Sequence, residues 1–184
     1  ILYVLLVSQI IYLIGEIILI NAITQVNLDY DKVEGAENLQ ALIGIPFIII
    51  EVIGFIFGGM WIYRMNYNAR CLGAIQMRFT PGWSVGWYFI PLALLWKPYQ
   101  AMKEIYLTSQ RIANLNMSPV LPGSFIIWWF LWLIGNYLGW YYFRQSLTID
   151  NMSLQEIIDL SIIGIVFDII DDIIVFMFLN IVKS

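Results

Sequence analysis

Histidine is absent from the 184 residues, and cysteine occurs once, at Cys71. The first absence removes the commonest metal ligand, haem ligand and general base. The second excludes a disulfide within the chain. Charge is scarce too, at 12% of residues. No Walker loop, zincin motif, nucleophile elbow or cysteine pair occurs, so no enzyme class with a local signature is indicated. The expectation is a protein that is not an enzyme and uses no cofactor or metal. A net charge of -4 gives no footing for nucleic acid.

What fills the space is apolar: hydrophobic residues make up 61% of the chain. A bilayer core about 30 Å thick needs about 20 apolar residues of helix. Runs of that length occupy residues 1–23, 42–63, 121–143 and 157–182. The first is too long for a secretory signal, carries Glu16, and ends in Asn21-Ala22-Ile23-Thr24, so it reads as a retained helix. A fifth stretch, residues 83–96, is too short to cross comfortably and contains Pro91, which removes a helix hydrogen bond. Trp83, Trp87, Tyr88 and Trp96 suit the depth where acyl chains meet head groups. The predicted fold is therefore an all-α integral membrane protein, one membrane domain over residues 1–184. It has four transmembrane helices and, between helices two and three, a re-entrant or interfacial amphipathic insert at about residues 83–111.

Charge placement orients this arrangement. Residues 24–40 hold Asp29, Asp31, Glu34 and Glu37 against Lys32 alone. Residues 64–111 hold Arg64, Arg70, Arg78, Lys97, Lys103 and Arg111, with Glu104 the only acid. Basic residues near span ends favour the cytoplasm, so this connection and both termini are expected inside and the acidic segment outside. A crossing at residues 83–96 would split the basic residues between the two sides, which argues against a fifth span.

Gly54 with Gly58, and Gly135 with Gly139, are small residues four apart, which let helices approach closely in lipid. They predict packing without naming the partner, and self-association into a homo-oligomer is equally open. The segment WIYRMNYNARCLGA and the following TPGWSVGWYFIPLALLWKPYQAMKEIY carry a more specific pattern. Arg64 and Asn68 follow a span, Pro81-Gly82-Trp83 forms a turn, and the Trp87 to Pro91 block leads into Leu95-Trp96-Lys97-Pro98-Tyr99-Gln100. This block resembles the bacterial membrane family of unknown function DUF4328. The resemblance implies a bacterial cytoplasmic (inner) membrane location and supplies no catalytic residues.

Acids lie well inside the spans with no intramembrane Lys or Arg beside them: Glu16, Glu51, Asp168, Asp171 and Asp172. Each charge costs on the order of 3 kcal/mol on insertion scales, so these groups should face protein or water or carry a proton. Gln9, Tyr12 and Glu16 share one helical face, Glu51 shares a face with Gly54 and Gly58, and Ser161, Gly164, Asp168 and Asp172 form one stripe with Asp171 beside it. One reading is a cation or proton site. The plainer reading is that Asp171 and Asp172 pair with Arg64 or Lys97 and hold the bundle together. A third is that the acids meet basic residues of another subunit.

Arg64, Asn68, Trp83, Trp87, Trp96 and Lys97 are candidate contacts to lipid head groups or a partner, although basic residues at a cytoplasmic face are ordinary. Cys71 beside Arg70 suggests a reactive thiol or an acylation site, but a surface cysteine is more often inert. Trp128, Trp129, Trp132 and Trp140 read as packing and interface anchors. Taken together, these features lead to the expectation of a non-catalytic membrane subunit or scaffold, partnered by lipid and other integral membrane subunits of a larger complex. The alternative is a small cation or proton conductor.

Overall fold

The computed structural model describes residues 2–24, 30–74, 76–113, 118–148 and 152–183, apart from the side chains of 30–33, 36, 37, 40 and 183. Asp29 and the side chains of Asp31, Lys32 and Glu37, on which the acidic-segment expectation partly rests, therefore lie outside the described residues. Among the described residues the α-helices are, in order, α1 (Leu2–Ile23), α2 (Tyr30–Cys71), α3 (Pro81–Gly86), α4 (Lys97–Ala113), α5 (Gly123–Ser146) and α6 (Leu154–Lys183). Among the described residues there is no strand.

Helix α2 differs from expectation at its start. It begins at Tyr30, inside the segment read as a loop, because Glu, Ala, Leu and Gln there are good helix formers that hydropathy does not register. Its end has a definite cause. Gly73 takes φ +100, its N–H bonds the Arg70 carbonyl at 3.1 Å, and the Ala74 N–H bonds the Ala69 carbonyl at 3.0 Å. This is the Schellman arrangement, in which a left-handed glycine turns the chain out of the helix.

Helix α1 and the Ala41–Cys71 part of α2 are long and apolar enough to cross a membrane. The other two expected spans form helices of 24 and 30 residues that fall short of that mark. In α5 the cause is its Trp, Tyr and Asn side chains; in α6 it is the Asp168, Asp171 and Asp172 group. Helix α6 starts with a capping box. The Ser153 backbone N–H and hydroxyl each donate to Glu156 at 2.7 Å, and the Glu156 N–H donates back to the Ser153 hydroxyl at 3.4 Å. The donated backbone bond, followed by the hydroxyl, holds the Glu156 carboxyl below the usual carboxylate range.

The chain forms two compact units, Ile1–Gly54 with Phe130–Ser184, and Phe55–Trp129. In the first, α1 packs along α6, and Leu5, Gln9, Glu16 and Ile23 are buried on one stripe of α1. The glycines permit close approach: a Cβ at Gly54 would stand 2.6 Å from Leu5, one at Gly135 3.1 Å from Ile174, and one at Gly139 2.9 Å from Phe167. Gly58, in the second unit, has nothing within 4 Å.

In the second unit the residues around Pro91 do not form a continuous helix. Thr80 caps α3 by accepting from the Trp83 N–H at 3.3 Å, with Pro81 at the first helical position. Two short 3-10 turns, Trp87–Phe89 and Ala93–Leu95, then flank Pro91. Helix α4 buries Pro98, Ala101, Met102 and Ile105, the three-four spacing of an amphipathic helix.

Candidate functional site, a buried carboxyl cluster

The first unit draws Glu16, Glu51, Asp168, Asp171 and Asp172 into one neighbourhood. Helix α1 supplies Gln9 and Glu16, each 2% exposed, and α6 supplies Asp168 at 5%. Asp171 and Asp172 are half-buried, as is Glu51 on α2. Gln9 organises the group. Its Nε2 donates to Asp171 Oδ2, and its amide is also within hydrogen-bonding reach of Glu51. At the other end of the cluster the Tyr142 hydroxyl of α5 donates to Glu16 Oε1 at 3.1 Å. Gly164 makes room for this contact, since a Cβ there would stand 2.8 Å from the Tyr142 ring and 3.4 Å from Glu16 Oε2. Tyr12, one turn from Gln9 and Glu16, stacks on Phe47 with ring centres 4.4 Å apart.

Acceptors outnumber donors here. Gln9 Oε1, Glu51 Oε1, Asp168 Oδ2 and Asp172 Oδ1 are all buried with no hydrogen-bond partner. Of the nine Lys and Arg residues of the chain, only Lys32, Arg144 and Lys183 belong to this unit. Arg144 is exposed, with its guanidinium over the Trp140 ring at 5.5 Å. Chemically, the cluster can take up hydrogen-bond donors or positive charge. Among the described residues no three acidic or sulfur side chains converge so as to hold a metal ion.

The second unit contains the other candidate residues, and they do not form one constellation. Arg64 and Asn68 are exposed, and Trp83 and Trp96 are 51% and 47% exposed. Trp83 lies against Trp87 at 4.6 Å, and the Lys97 ammonium sits 5.6 Å from the Trp87 ring and 5.7 Å from that of Phe79. These are attractive cation–π contacts that leave Lys97 near the aromatic surface.

The strongest polar feature of this unit starts on α2 midway between Arg64 and Asn68. Asn66 is fully buried and donates to the Phe79 carbonyl at 2.9 Å and to the Ser84 hydroxyl at 2.8 Å. Its Oδ1 accepts from Arg70 Nε at 3.1 Å. Arg70 Nη2 donates to the carbonyls of Met77 and Phe79 at 3.0 and 2.9 Å. Glu104 of α4 accepts from the Arg78 and Phe79 N–H groups at 2.6 and 3.1 Å. The knot fastens the backbone between α2 and α3 from both sides. Sequence reading missed it, as it missed Tyr142. The sole signal was an Asn and an Arg four apart on a helix, whose loop partners no spacing rule names.

No curated protein and no solved structure matches the chain. The family model described as "Domain of unknown function (DUF4328)" matches residues 24–184, which takes in α2 to α6 and four of the five clustered acids. With the match extending over most of its length, this all-helical chain belongs to the DUF4328 family.

Proposed function

We propose that the protein is a four-span subunit or scaffold of the bacterial cytoplasmic membrane, with no catalytic role of its own, that docks against other integral membrane proteins. Helices α1, α2, α5 and α6 are the spans, both termini are cytoplasmic, and residues 83–111 form the interfacial or re-entrant insert. The broken backbone around Pro91 supports that treatment of the insert, because no piece between α3 and α4 approaches the length of a crossing helix. One observation carries the docking role. The Ala41–Cys71 stretch buries only 6% of its most apolar window, and Gly58 on it meets nothing within 4 Å. Such a face suits lipid along most of its length and a close-packed helix at its glycine.

Gentle solubilisation from native membranes tests the role. A distinct integral membrane protein should co-purify, and Gly58→Leu should release it while leaving the isolated chain folded. A chain that runs alone and monodisperse overturns the subunit reading. Orientation is read on the exposed native Cys71, which a membrane-impermeant maleimide should reach from the cytoplasmic side of inverted vesicles. Labelling from the external side reverses the topology.

A second reading, a small cation or proton conductor, is favoured by the unpartnered oxygens of the carboxyl cluster.

A further inference from the structure

The carboxyl cluster becomes informative when its donors and acceptors are counted. An ionised carboxylate only accepts, and an amide contributes one accepting oxygen and two donating hydrogens. Gln9 gives one Nε2 hydrogen to Asp171 and its amide also reaches Glu51, and the Tyr142 hydroxyl is spent on Glu16. Four oxygens on α1, α2 and α6 are then buried without a donor. One of them, Gln9 Oε1, is not an acid oxygen. It belongs to an uncharged side chain that is 98% covered, since only 2% of Gln9 is exposed, and its amide is pinned among the carboxyls through its other end. An amide oxygen placed there needs something to accept from. The Gln9 amide is within hydrogen-bonding reach of Glu51 from α2 and holds Asp171 from α6, and Asp172, Asp168 and Glu16 interact electrostatically with these acids.

A proton resolves this shortage economically. Adding one to a carboxyl turns an acceptor into a donor and serves a second acceptor at the same time, so about two protons satisfy four orphaned oxygens. A metal ion does not fit as well, because hard cations take six or more oxygens and no three of the described carboxyls come together so as to hold one.

We propose that the cluster is a proton-binding site, with one exchangeable proton held between Glu51 and Gln9 Oε1 and a second held between Asp168 and Asp172. Asp168 and Asp172 are one helical turn apart on α6, the spacing at which side chains meet. Asp171 stays on the Gln9 amide nitrogen, and Tyr142 holds Glu16 at the far end. The site therefore has two halves joined through α1. It rests on the first unit alone and does not depend on the subunit reading.

Infrared spectroscopy of the isolated full chain in vesicles of neutral phospholipid tests this. At neutral pH the wild type should show a carboxylic-acid carbonyl band that shifts in heavy water. Glu51→Gln should remove one share of it and Asp168→Asn another, and exchanging sodium for choline should leave the wild-type band unchanged. Glu51→Asp and Asp168→Glu retain a carboxyl and should move the band rather than delete it, which covers the case of an amide variant that does not fold. Absence of the band in wild type, its persistence in both folded amide variants, or its removal by sodium would each overturn the proposal. None of these outcomes bears on whether a partner co-purifies.

Discussion

Replacing Asn66 with leucine is expected to destabilise the Phe55–Trp129 unit by about 2–3 kcal/mol, a large share of the stability of an ordinary domain. Leucine matches asparagine in side-chain branching and heavy-atom count and is the larger of the two, so no cavity forms and the loss is mainly one of hydrogen bonding. The Arg70 Nε, which donates to Asn66 Oδ1 at 3.1 Å, is left facing an apolar side chain. The Ser84 hydroxyl keeps its bond to the Thr80 carbonyl at 3.1 Å, and the Phe79 carbonyl keeps Arg70 Nη2 at 2.9 Å, so the cost stays below the sum of three bonds. Asn66→Asp should fall between wild type and leucine, since a carboxylate strengthens the Arg70 contact but opposes the Phe79 carbonyl. Thermal melting of the purified protein reads both. A leucine variant melting with wild type would mean that the knot does not hold this unit together.

Gly164→Ala is the second large effect, a loss of about 1–3 kcal/mol from overpacking. In an exposed helix the same change would gain close to 1 kcal/mol from helix propensity, so the sign tests which effect wins. Packing wins because the new Cβ falls 2.8 Å from a carbon of the Tyr142 ring. A ring is not the free end of a flexible chain, and displacing it also strains the Tyr142–Glu16 hydrogen bond. The double variant Gly164→Ala with Tyr142→Leu should recover most of the loss from the glycine change, because the shorter side chain vacates the space. Strict additivity of the two single changes would show that the glycine is not there to admit the tyrosine. Gly58→Ala is the internal control: with nothing within 4 Å it should leave the isolated chain no less stable.

Which residues face inward is legible in the spacing of the sequence. The 3.6-residue period alone places Gln9 with Glu16, and Ser161 with Gly164 and Asp168, and all five are buried. Hydropathy likewise locates α1 and the apolar part of α2, because bilayer thickness converts directly into a run length. It misjudges where α2 begins, since a helix of polar residues gives no apolar run, and only local propensity marks it.

Partner choice was decided by tertiary structure. Gln9 and Asp171 are 162 residues apart, Tyr142 and Glu16 are 126 apart, and nothing in either local sequence names the other. Asn66 and Arg70 share a helix face legibly, but what they hold depends on the left-handed turn at Gly73, which brings Met77 and Phe79 back to them. The sequence by itself determined the all-helical class, the family and the inward faces, because each follows from spacing along one helix or from a contiguous motif. Only the fold decided that Glu51 and Asp171, from two different helices, meet at one glutamine, because a hydrogen bond is satisfied by position in space, and distance along the chain does not encode it.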